Sequence, residues 1–299
     1  MRTMRGSQAA LVLVSAVLAG LSACAPVVTP TPPLLPLTSA PLLSLTPAPP
    51  LPLTPASLTP SPAADCLAIP GRIEADSLPS QHLPETLDFL IYLPPCYDEN
   101  VSQRYPVLYL LHGQYYNDDQ WVRLGAPATA DRLIAADDAP PFIIVMPHDP
   151  SWKQPTEYGF AEALTGELIP YVDAHYRTIA FRGQRAIGGL SRGAGWAIHF
   201  GLTRPDLFAA FGAHSPVVFW TDFPHLGDGL KAIPPDLLPR VYLDIGEDDH
   251  ELQSALELEE LLNQQNIPHE WHLYPGFHEE SYWQAHVEEY LRWYAAGWH

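Results

Sequence analysis

The chain has 299 residues, with 34 acidic and 15 basic side chains and a formal net charge of −19. That balance speaks against a nucleic-acid partner, because neutralising phosphates needs a basic face. Hydrophobic residues reach 47%, enough for a sizeable core, yet no Asp, Glu, Lys or Arg occurs between Arg5 and Asp65. A globular domain is therefore expected over residues 65–299, preceded by something unlike it.

Residues 1–24 read as a secretory signal. Arg2 and Arg5 form a positive start, and Ala9 to Gly20 form an apolar stretch too short to span a bilayer. The stretch ends in Leu21-Ser22-Ala23-Cys24, which resembles the bacterial lipobox, whose cysteine is acylated and becomes the new N-terminus. The expectation is an extracytoplasmic protein held to a bacterial membrane by lipid on Cys24. The alternative is an ordinary signal cut after Ala23 or Ala25, which would release a secreted or soluble periplasmic protein.

Residues 25–64 hold 13 of the 34 prolines, interleaved with Thr, Leu, Ser and Ala, and lack helical or strand periodicity. Such a segment predicts a disordered tether, spanning up to roughly 120 Å at about 3.1 Å per residue in polyproline II. With Cys24 assigned to lipid, Cys66 and Cys96 are an even pair in a compartment where disulfides persist. A bridge between them would close a loop of about 31 residues, worth roughly 3 to 4 kcal/mol.

From there, short runs of Val, Ile, Leu and Tyr alternate with stretches of helical period, the pattern of an α/β fold with a mostly parallel sheet in a single domain. Strands are predicted at Leu87–Leu93, Val107–Leu111, Phe142–Met146, Arg185–Gly188, Ala209–Ala213, Val241–Ile245 and Glu270–Tyr274. Helices are predicted over Ala161–Tyr176, Ser191–Leu202 and Glu251–Gln265, the last with Leu252, Ala255, Leu256 and Leu262 on one side. A final helix aligns Trp283, Val287, Tyr290, Leu291 and Tyr294 as a buried face.

The strongest chemical signal is Gly189-Leu190-Ser191-Arg192-Gly193, placed between a strand-like and a helix-like segment. A serine there sits on a tight strand-to-helix turn, with its hydroxyl at the C-terminal edge of the sheet and the helix N-terminus beside it. Serine is a poor nucleophile and needs a base oriented by an acid. Downstream, one strand runs into Gly246-Glu247-Asp248-Asp249 and another into Gly276-Phe277-His278, both at C-terminal strand ends where ligands collect. His278 is the candidate base and Asp249 the candidate acid. Asp248 is its rival, and either aspartate could instead serve only to cap the following helix.

An oxyanion hole needs one N–H from the residue after the nucleophile and one from an earlier strand-end turn. The backbones of Arg192 and Gln114, the latter following Leu111-His112-Gly113, supply the candidates. His112 is expected to pack in that turn rather than to titrate in catalysis. Tyr115, Trp121, Trp152 and Trp220 fall in loops at the same edge and are candidate pocket residues. No metal site is predicted: His-Glu-x-x-His is absent, and Asp248-Asp249-His250-Glu251 lacks a spacing that would aim four ligands at one ion. No glycine-rich nucleotide loop is present, so no cofactor is expected.

Tyr105–Gly113, Glu167–Asp173, Gly188–Gly195 and Pro275–His278 together resemble the esterase D-like branch of the α/β-hydrolases. That branch includes S-formylglutathione hydrolase, feruloyl and acetyl esterases, enterochelin esterases and mycobacterial mycolyltransferases. The resemblance runs from about Leu87 to the C-terminus. It implies an α/β-hydrolase fold, the roles of nucleophile, acid and base for Ser191, Asp249 and His278, and backbone oxyanion donors at Gln114 and Arg192. Methionine often follows the nucleophile in these esterases, whereas here Arg192 does; its guanidinium is expected to pair with a nearby carboxylate. The expected activity is hydrolysis of carboxylic esters, such as acetyl or feruloyl esters on polysaccharide, through an acyl-enzyme. Acyl transfer to a sugar hydroxyl, or carbohydrate binding without catalysis, are the alternatives; oligomeric state is left open.

Overall fold

The computed structural model describes residues 66–298. The expected signal segment 1–24 with Cys24, the tether 25–64 and the boundary at Asp65 lie outside the described residues. Eight strands form one sheet: β1 (Arg72–Leu78), β2 (Leu87–Leu93), β3 (Val107–Leu111), β4 (Ile143–Pro147), β5 (Arg185–Leu190), β6 (Ala210–His214), β7 (Arg240–Gly246) and β8 (Glu270–Tyr274). Their order is β1-β2-β4-β3-β5-β6-β7-β8. β2 pairs antiparallel with both β1 and β4, and every later pairing is parallel.

The α-helices are α1 (Gln120–Arg123), α2 (Ala126–Ala135), α3 (Phe160–Ala163), α4 (Ile169–His175), α5 (Arg192–Thr203), α6 (Leu226–Ala232), α7 (Leu252–Gln264) and α8 (Glu280–Ala295). The helix predicted over Ala161–Tyr176 is interrupted by a π-turn at Leu164–Leu168. Pro170, with no N–H to give, follows directly, and a widened turn is one way a helix accommodates it. In α7 the buried stripe is Ala255, Leu258 and Leu262 rather than Leu256, which faces outward.

The inner parallel strands β3, β4, β5 and β6 are buried along their whole length because helices cover both of their faces, whereas β8 at the edge is half-exposed. Phe160, Leu164, Trp196 and Phe200 pack on one face, whereas Leu133, Trp283, Tyr290 and Tyr294 pack on the other. All five residues expected on the buried face of α8 are buried. Fully burying one such large apolar side chain contributes roughly 1.5–3 kcal/mol. Cys66 and Cys96 are disulfide-bonded, with Cα atoms 5.1 Å apart, which fastens the start of the described chain to the turn after β2.

The register brings the functional ends together. Leu111 faces Gly189, Leu190 faces His214, His214 faces Asp244, and Gly246 faces Tyr274. β3, β5, β6, β7 and β8 therefore end along one edge, and the loops that leave them share a single rim.

Candidate active site

Ser191 links β5 to α5 with φ 54° and ψ −120°, a conformation that side chains other than glycine avoid. Glycine is needed on both sides. A Cβ on Gly189 would run into the Gly193 backbone, and one on Gly193 into the carbonyls of Leu111 and His112. The Ser191 N–H donates to the His214 carbonyl at 2.8 Å, which ties the elbow to the end of β6.

Ser191 Oγ lies 2.8 Å from His278 Nε2, and His278 Nδ1 lies 3.0 and 2.9 Å from the two carboxylate oxygens of Asp249. An ionised carboxylate only accepts, so the imidazole proton belongs on Nδ1 and Nε2 is left to accept from the serine. Burial pushes the Asp249 pKa up, but hydrogen bonds from His278, the Glu251 N–H and Ser215, with attraction to His278, outweigh it and hold the carboxyl below 3.8. Asp248 is exposed, and its backbone N–H donates to Gly276 O at 3.0 Å. Of the two aspartates, Asp249 is the one that meets His278. Asp249 also accepts from the Glu251 N–H at 2.8 Å, so the same carboxylate satisfies the start of α7 and orients the imidazole.

Among the described residues, neither the Gln114 nor the Arg192 N–H donates to a protein acceptor. Both stand beside Ser191, at the turn after β3 and the first turn of α5. The Arg192 side chain turns away from this opening. Its Nε and one terminal nitrogen each lie 2.9 Å from Asp149 Oδ2, and it donates to Lys153 O at 2.7 Å. The guanidinium is a buried strut, paired as expected.

Sequence reasoning missed the residues that hold this frame. Gln120, fully buried, accepts from the Gly113 N–H at 2.8 Å and donates to Glu280 at 3.2 Å, while Arg123 holds Glu280 at 2.7 Å. Asp149 receives Trp196 Nε1 at 2.7 Å as well as Arg192. Ser215 accepts from Trp283 Nε1 at 3.1 Å, and that indole meets the His278 ring edge-on. No local motif announces such side chains; the only available signal was their position just beyond the ends of β3, β4 and β6.

A cleft of about 590 Å³ opens over Ser191, lined by Gln114, Tyr115, Tyr116, Leu190, Val217 and Trp283 among others. A second cleft of similar size, walled by Phe223, Leu256 and Leu261, holds no serine, cysteine or histidine. Of the four candidate pocket residues, only Tyr115 lines the cleft. Trp121 is 1% exposed and lies beneath the rim, because its indole N–H reaches Leu111 O at 3.0 Å and its ring packs edge-on against His214 and Tyr290. Trp152 and Trp220 point to solvent outside it, at 61% and 67% exposure, although Trp152 meets the Tyr115 ring at 4.7 Å.

A serine elbow after β5, a carboxylate after β7 and a histidine after β8, all at one edge of this sheet, define an α/β-hydrolase site. Residues 80–294 match the Esterase family, described as "Putative esterase", and the chain belongs to that family, in its esterase D-like branch. A protein from Xylanibacter ruminicola named endo-1,4-beta-xylanase/feruloyl esterase is 37% identical over 133 residues, 41% of this chain. The chain spans only 18% of that relative's length. A solved ferulic acid esterase is 25% identical with a TM-score of 0.70, covering 77% of this chain and 99% of the other. An S-formylglutathione hydrolase from Staphylococcus aureus has the same fold, with a TM-score of 0.60 at 21% identity, over 75% of this chain and 99% of its own.

His112 sits in the turn after β3, with Nδ1–H donating to Gly113 O at 2.8 Å and Nε2 accepting from the Asp149 N–H at 2.9 Å. Burial, aided by His148 and Arg192, holds its pKa below 6.5, so the neutral ring is the structural one. The unfolded chain therefore binds this proton more tightly than the folded chain. Stability is full above about pH 6.5 and falls as pH drops from there towards the folded pKa. In urea unfolding at pH 7 and 5, His112→Gln is expected to lose less stability than wild type across that interval; equal losses would contradict a neutral buried His112.

Proposed function

We propose that the protein is an extracytoplasmic serine carboxylesterase, tethered to a bacterial envelope by lipid on Cys24, that hydrolyses acyl esters of polysaccharide through an acyl-enzyme on Ser191. The observation that carries the reading is the unbroken hydrogen-bonded series from Ser191 Oγ through His278 to Asp249, at 2.8 and 2.9 Å. Ser191 Oγ attacks the ester carbonyl while its proton passes to His278 Nε2, and Asp249 stabilises the imidazolium. The Gln114 and Arg192 N–H groups receive the oxyanion. Collapse of the tetrahedral intermediate breaks the bond to the alcohol, which leaves with the proton from His278. Water, deprotonated by the same nitrogen, then cleaves the acyl-serine ester and regenerates the hydroxyl.

The substrate class rests on three supports. Both the xylanase-linked relative and the solved ferulic acid esterase are named for feruloyl esters. Tyr115 and Tyr116 give the cleft aromatic walls suited to a planar acyl group or a sugar ring. A proline-rich segment of 40 residues would let a membrane-bound domain reach polymeric substrate. Placement outside the cytoplasm is supported by the lipobox-like Leu21–Cys24 and by the Cys66–Cys96 disulfide.

Hydrolysis of p-nitrophenyl acetate, p-nitrophenyl butyrate and methyl ferulate is expected for wild type, with kcat/KM lower by about 10,000-fold in Ser191→Ala. Retention of activity in that variant would contradict the assignment. For the anchor, radiolabelled palmitate is expected to enter wild type but not Cys24→Ala, and equal labelling would remove the lipid from the account.

A further inference from the structure

One histidine at the rim takes no part in that reaction. His250 follows Asp249 directly, its side chain is 71% exposed, and its ring centre lies 4.5 Å from that of His278. Its Nδ1 is 4.0 Å from Asp249 Oδ1 and its Nε2 is 3.7 Å from Glu251 Oε1, both beyond hydrogen-bond reach. One ligand atom each from Asp249, His250 and His278 lies within 4.8 Å of the other two. The local run Asp248-Asp249-His250-Glu251 shows no such cluster, because the third donor arrives from the loop after β8.

We propose that Asp249, His250 and His278 form an inhibitory binding site for zinc. Bonds of about 2.0–2.1 Å at tetrahedral angles place neighbouring zinc ligands about 3.3 Å apart. The existing separations of 3.0 Å, from His278 Nδ1 to Asp249 Oδ1, and 4.0 Å, from His250 Nδ1 to the same oxygen, bracket that value. His250 faces solvent and can swing inward without breaking a hydrogen bond. Two imidazoles and one carboxylate suit zinc better than magnesium or calcium, which favour oxygen, and leave a fourth position for water. Cys66 and Cys96 are tied to each other, so neither thiolate competes among the described residues.

Metal at this position switches the base off through its tautomer. Zinc bound to His278 Nδ1 replaces the proton there, and the neutral ring then carries its proton on Nε2 after exchange through solvent. The Nδ1–H bond is lost, the Nδ1–Zn and Nε2–H bonds form, and no net proton leaves. Nε2 becomes a donor and cannot take the proton of Ser191. Asp249 meanwhile becomes a ligand rather than the acceptor that orients the ring. A chelator reverses each change.

The inhibition rests on the role of His278 proposed above, whereas metal binding does not, so two readouts are needed. In the first, p-nitrophenyl acetate hydrolysis by the full chain is titrated with zinc, each variant against its own metal-free rate. Wild type is expected to be inhibited and restored by EDTA, with the half-inhibiting zinc concentration at least tenfold higher in His250→Ala. In the second, cobalt(II) replaces zinc, and wild type but not His250→Ala is expected to show the visible absorption of a tetrahedral ion. Undiminished zinc inhibition in His250→Ala, or no tetrahedral cobalt band in wild type, overturns the site. Should the chain hydrolyse no ester, the cobalt spectrum alone decides: bands that require His250 sustain the metal site while the esterase reading falls.

Discussion

The site depends on Ser191 being held at φ 54° and ψ −120°, a backbone state that costs on the order of 1–3 kcal/mol for a residue with a side chain. The sheet over-determines it. β5 is central and buried along its whole length, the Ser191 N–H is fixed by the end of β6, and the Val217 N–H donates back to the Ser191 carbonyl at 3.4 Å. Two glycines make the close approach possible. With the backbone forced into this turn, Oγ meets His278 from a loop three strands away, and the free N–H groups of Gln114 and Arg192 face the same space.

Beneath the rim, a second histidine–carboxylate pair performs a different task. His214 Nδ1 lies 2.6 Å from Asp244 Oδ1, while Tyr282 and Tyr290 donate to Asp244 Oδ2 at 2.8 and 2.7 Å. Burial, with Asp244 beside them, raises the pKa of both tyrosines and keeps them as donors. The pair thereby joins β6 and β7 to α8, and α8 carries the Trp283 ring that stands against His278. Nothing distinguishes the two pairs in composition. The one at Asp249 reaches an open cleft and a strained serine, and the one at Asp244 is sealed on all sides.

Much of this was legible in the sequence, for identifiable reasons. β2, β3 and β8 fall where apolar runs predict them, and α8 buries the expected face, because periods of two and of 3.6 reflect burial directly. β1 escaped notice: Arg72, Glu74 and Asp76 are polar, since this edge strand is exposed on one face and only half-buried on the other. α1 and α2 are short, and Pro127 obscures the period of α2. Ser191, His278 and Asp249 were readable because a tight turn and strand ends constrain residue type locally. Gln120, Asp149 and Ser215 were not, because their partners are distant in the chain and any polar residue could occupy such positions. Trp121 shows the converse error, in which an aromatic in a rim loop turned inward as packing.

The central claim is that Ser191 alone is the activated nucleophile, and covalent labelling tests it most directly. A fluorophosphonate ester phosphonylates a serine only when a neighbouring base has activated it. Intact mass spectrometry followed by peptide mapping should find one adduct per chain on the Gly189–Gly193 segment at Ser191, with labelling lost in Ser191→Ala and strongly slowed in His278→Ala. A folded wild type that takes no label, or takes it at another residue, would contradict the account.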